Sequence, residues 1–167
     1  MKKLKKLFLV HAFFLSFLLS ESVAEKYGDR IELLGIAFKD PLVFCQIFIA
    51  IFFSICFLQS AVDKVIDRNG NLEFFTNHFS KTFLKPFVPL MLTLLTLLEL
   101  TGGLILVYGI YFSFVKKTTL WIFYGLVITA VNLIILFTGQ RLAKDYVGAA
   151  DLVPYFMLIM LGIMSMY

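Results

Sequence analysis

The sequence predicts an all-α membrane protein: a four-transmembrane-helix bundle with an extra N-terminal hydrophobic helix, interfacial or signal-like, and an amphipathic loop helix. Three observations carry that expectation. The 167 residues are 60% hydrophobic, against roughly 45–50% apolar in soluble domains, and their mean hydropathy is +0.92. Apolar runs approach or exceed the length that crosses a bilayer, about 20 residues. Twenty Phe and seven Tyr suit a lipid-facing surface with interfacial ends.

Residues 1–41 read as an N-terminal hydrophobic segment and polar linker, and residues 42–167 as the four-helix domain. Lys2, Lys3, Lys5 and Lys6 precede the run Leu7–Leu19. That run is short for a span and has the length of a signal-peptide core, with Ser22-Val23-Ala24 as a cleavage signal. An uncleaved helix, lying at the membrane surface or partly inserted, is the preferred reading. Glu32–Phe38 reads as a short amphipathic segment. The first span is Leu42–Val62, closing on the polar edge Gln59, Asp63 and Lys64. Asn69-Gly70-Asn71 is a turn signal. After it, Leu72, Phe75, Phe79 and Phe83 recur at helical spacing, as in an amphipathic helix on the membrane. The second span is entered at Pro86 and Pro89 and ends at Lys116-Lys117. So short a connection forces the third span, Thr119–Phe137, to return antiparallel. The last span is Leu152–Tyr167, rich in Met.

One carboxylate organises this pattern. Glu99 lies inside the second span, where a charged group costs roughly 3 kcal/mol on insertion scales. It should therefore face other helices, a water-filled cavity or a bound ligand. Gly102 and Gly103 follow, removing bulk where a neighbouring helix could approach. Counting from the Lys116-Lys117 hairpin at 1.5 Å per residue puts Asn132 within about 3 Å of the depth of Glu99. Both lie nearer the face that carries the Asp63–Lys85 loop. The loop Thr138–Asp151 emerges on that face too, so Asp63, Lys64, Arg141, Lys144 and Asp145 collect at one polar mouth. An isolated charge at Glu99 is costly unless Arg141, Lys144 or Lys64 reaches it. The ligand-binding candidates are thus Glu99, Asn132, Arg141, Lys144, Asp145, Asp63 and Lys64. Each has a plainer reading: a hydrogen bond locking the bundle for Glu99, interhelical glue for Asn132, and a membrane-edge charge cluster for Arg141, Lys144 and Asp145. The side of the mouth depends on the N-terminal segment. If it spans, Lys and Arg are richer on the mouth side; if not, they are richer on the opposite side.

Several function classes fall away. The net charge of +4 sits at chain ends and in loops, as orientation determinants do, which disfavours nucleic-acid binding. Cys45 and Cys56 stand about 16 Å apart along one helix and cannot pair with each other there. Met157, Met160 and Met164 are read as packing rather than copper ligands. His11 and His78 are poorly arranged for haem. No nucleotide loop, nucleophile triad or metal-ligand spacing is present. No cofactor is evident, and the chain does not read as a self-sufficient enzyme.

Four features together resemble the DoxX family of small bacterial membrane proteins. They are S-A-V-D-K (Ser60–Lys64), L-E-L-T-G-G (Leu98–Gly103), the basic hairpin, and G-Q-R-L-A-K-D-Y-V-G-A-A (Gly139–Ala150). The similarity covers residues 42–167. It implies a four-helix bundle in the bacterial cytoplasmic (inner) membrane with the second-to-third hairpin in the cytoplasm and the mouth outside. Some members are linked to quinone-coupled sulfur oxidation or to membrane oxidoreductase complexes. The expectation is an accessory or binding subunit, embedded in the lipid bilayer beside a membrane protein partner or in an oligomer, taking a quinone or lipid near Glu99. The alternatives are a structural scaffold subunit and a small proton-coupled carrier, the latter disfavoured by the absence of an internal repeat.

Overall fold

The computed structural model describes residues 31–33, 36–38 and 42–166. The chain divides into two units, Met1–Pro41 and Leu42–Tyr167. In the first, β1 (Ile31–Leu33) and β2 (Ile36–Phe38) pair antiparallel, with Ile31 opposite Phe38 and Leu33 opposite Ile36. The stretch read as a short amphipathic segment thus contributes to a two-stranded ladder. The N-terminal hydrophobic helix expected over Leu7–Leu19 lies outside the described residues.

The second unit is a helical membrane bundle. Its elements are α1 (Leu42–Ile66), α2 (Arg68–His78), α3 (Val88–Val115), α4 (Leu120–Leu142) and α5 (Tyr146–Met164). All but α2 are long and apolar enough to cross a membrane. The protein is a multi-pass helical membrane protein. α1 packs on α3, α3 on α4 and α4 on α5, while α5 also touches α1. At that last seam Gln46 Nε2 donates to the Ser165 carbonyl at 2.8 Å, and the rings of Phe52 and Tyr155 stack.

Helix boundaries follow local chemistry. A 3-10 turn (Lys85–Phe87) leads into α3, and Pro86 and Pro89 sit in the first positions of their helices, where their missing N–H groups cost nothing. α4 ends in a Schellman turn. Lys144 takes φ 62°, its N–H bonds the Arg141 carbonyl, and the Asp145 N–H bonds the Gln140 carbonyl. Asp145 then caps α5 by accepting from the Gly148 N–H at 2.9 Å. This cap starts the last span six residues earlier than expected at Leu152, making it 19 residues long.

The largest correction is α2. Asn69-Gly70-Asn71, read as a turn, lies inside its first turns, because Asp67 accepts from the Gly70 N–H at 3.1 Å and acts as N-cap. The helix then ends at His78 rather than continuing to Phe83.

Glycines set the helix register. A methyl at Gly103 would meet Leu58 of α1, at Gly102 Thr129 of α4, at Gly109 the backbone of Ile122, and at Gly125 the side chain of Leu106. Around these contacts Ala50, Phe53, Leu106, Ile122, Leu126 and Ile159 are fully buried. The outward apolar side chains, Met157, Met160 and Met164 among them, are exposed, as lipid-facing residues are. Tyr108, Trp121 and Tyr124 cluster near the Lys116-Lys117 hairpin, the interfacial position such rings favour.

Candidate functional site

Glu99 lies 16 residues before the end of α3, about 24 Å from the hairpin end. That is within a hydrocarbon core of roughly 30 Å, in the half nearer the mouth. Gly102 meets Thr129 and Gly103 meets Leu58. Stepping three or four residues toward the mouth from these contacts brings Glu99 level with Asn132, about half a turn below Lys64.

The structure makes Lys64 the partner of Glu99. Its Nζ donates to Oε2 at 2.9 Å and to Oε1 at 3.1 Å, and to the hydroxyl of Ser60. Lys64 is 8% and Glu99 1% exposed. The ammonium has three N–H groups, and the two carboxylate oxygens and Ser60 accept them. A buried pair of this kind is tolerated only when its geometry is good and its remaining groups are satisfied. Here the cation is.

Asn132 completes the cluster differently. It is fully buried and close enough to Glu99 to interact electrostatically with it. Neither its amide oxygen nor its nitrogen meets hydrogen-bond geometry with any group. The buried hydroxyls of Ser54, Thr96, Ser113 and Thr129 all bond carbonyls of their own helices. Among the described residues only the Gln46 Oε1 shares the condition of the Asn132 amide. Buried amides are normally partnered, so each exception calls for an explanation.

The other candidates stand apart from this cluster. Asp63 is exposed at the end of α1. Arg141 lies over the Tyr146 ring, 4.7 Å from its centroid, while Lys144 and Asp145 build the turn and cap between α4 and α5. At Gly102 an added methyl would meet Thr129, and at Gly103 Leu58. Gly109 and Gly125 were not singled out, although their spacing from Gly102 along the hairpin was the available signal. Cys45 and Cys56 are free thiols. Among the described residues no group of three His, Cys, Asp or Glu is placed to hold a metal ion.

Comparison with protein-family models, curated proteins and solved structures yields no match.

Proposed function

We propose that the chain is a DoxX-like accessory or binding subunit of a bacterial inner-membrane complex, redox-linked where the bound molecule is a quinone, and that the polar group of that quinone or of a lipid is held at the Lys64–Glu99–Asn132 cluster. The observation that supports this reading is the Asn132 amide. A bundle that used the cluster only as a lock would be expected to spend that amide on a helix neighbour, as it spends Lys64 on Glu99. Set beside the Glu99 carboxylate but outside hydrogen-bond geometry with any group, the amide can turn one acceptor and two N–H donors to a small polar group.

A structural reading has its own support. Lys64 is fully engaged by Glu99 and Ser60, which is what a scaffold subunit needs to hold α1 against α3.

Native mass spectrometry of protein gently extracted from its membrane separates the two, with wild type beside Asn132→Leu and Glu99→Gln. The binding reading expects a retained quinone, lipid or partner subunit that both variants lose. The same bound species in all three proteins, with only a stability loss in Glu99→Gln, makes the cluster a lock.

A further inference from the structure

A cavity of about 370 Å³ lies between the end of α2 and the mouth-side halves of α3 and α4, within the size range of small-molecule pockets. Its floor is Phe79, Val88, Leu92 and Leu95, all buried, and its rim includes the exposed Leu94, Leu97 and Ile135. The rim is apolar, so the cavity opens sideways toward acyl chains rather than to water. Gly139 helps to form it. A Cβ there would stand 3.4 Å from the Phe79 ring, and without one the ring packs flush against α4.

The polar side chains of the lining are His78 and Gln140, joined by a hydrogen bond of 2.8 Å between Nε2 and Oε1. They lie at the mouth end, where α2 and α4 terminate, while Leu98 and Ile135 mark the deeper end. From Val88 to Leu98 the wall runs about 15 Å along α3. A polar end at the membrane surface and an apolar trough running inward match the polarity of a lipid in the mouth-side leaflet. No charged side chain lines the cavity, so a charged head would find no counter-charge there.

We propose that this cavity seats the single apolar chain of a neutral membrane amphiphile, whose head hydrogen-bonds at the His78–Gln140 pair. It shares no lining residue with the Lys64–Glu99–Asn132 cluster, so the two sites stand or fall separately.

The test uses the full chain in phosphatidylcholine nanodiscs with a monoacylglycerol bearing a diazirine on its acyl chain. After photolysis, labelling should concentrate on peptides holding Leu95–Leu98 and Ile135–Leu136, and excess unlabelled monoacylglycerol should compete it away. Leu98→Trp, which fills the trough, should abolish this labelling. Gln140→Ala, which removes one hydrogen-bonding head contact, should weaken it about fivefold. Labelling spread evenly over the exposed faces of all four spans, without competition, overturns the proposal and leaves only annular lipid. Oleate competing as well as monoacylglycerol overturns the neutral head. If Leu98→Trp does not fold, the competition on wild-type protein still decides.

Discussion

Lys64 stands 35 residues before Glu99 in the chain, and its ammonium nitrogen reaches both oxygens of that carboxylate, at 3.1 and 2.9 Å. Two spans are thereby joined by opposite charges at a depth where neither charge would be tolerated alone. Arg141 and Lys144 are nearby in sequence to the mouth, but one is committed to an aromatic ring and the other to a helix terminus. The pairing is a property of register: Gly103 against Leu58 brings α1 and α3 close enough, at the right height, for the lysine to bend inward.

The pair should behave as a unit. Lys64→Met or Glu99→Gln alone leaves a buried group without its partner and should lower stability by about 3–5 kcal/mol. The double variant Lys64→Met with Glu99→Gln should lose clearly less than the sum of the two single losses. Thermal unfolding in detergent, analysed as a double-mutant cycle, gives the coupling directly. Additive losses would contradict the pairing.

Asn132→Leu should cost no more than about 1 kcal/mol, since the amide stands beside the Glu99 carboxylate but meets hydrogen-bond geometry with no group. The same thermal assay reads it. A loss of several kcal/mol would mean that the amide is already engaged within the protein.

Gly109→Ala should destabilise more than Gly102→Ala. At Gly109 the new methyl falls 2.6 Å from the Ile122 amide nitrogen, so two backbones must part; at Gly102 it meets the Thr129 side chain at 2.9 Å. Overpacking of this kind costs about 1–3 kcal/mol, with Gly109→Ala at the upper end. Equal melting temperatures for the two variants would refute the ordering.

The antiparallel hairpin puts Lys116 and Lys144 at opposite ends of α4. In a background of Cys45→Ala and Cys56→Ala, single cysteines at 116 and 144 should react with a membrane-impermeant maleimide from opposite sides. The DoxX resemblance expects position 144 to react in intact cells and position 116 only after lysis. The reverse pattern would keep the bundle and turn it over.

Much of the bundle was legible because span length, hairpin length and the rise of a helix are enough to bring Glu99 and Asn132 to one depth. Lys64 was legible only as one of three cations, since choosing among them requires the rotation of α1 about its axis. The start of α2 was misread for a physical reason. Asn, Gly and Asn favour turns when nothing holds them, but Asp67 accepts the Gly70 N–H and converts them into a helical first turn. The cavity was illegible altogether. Phe79 was visible as part of a stripe, yet its seat under Gly139 depends on where α2 stops and how α4 passes it.

The single residue Asp67 separates α1 from α2, and the backbone hydrogen bonds from Asp67 to Asp63 and from Asn71 to Asp67 continue across the joint. No slack is left between the helix that carries Lys64 and the helix whose end supplies Phe75 and His78 to the cavity wall. The charge pair and the apolar trough share no atoms, but the helices that bear them follow one another with a single residue between.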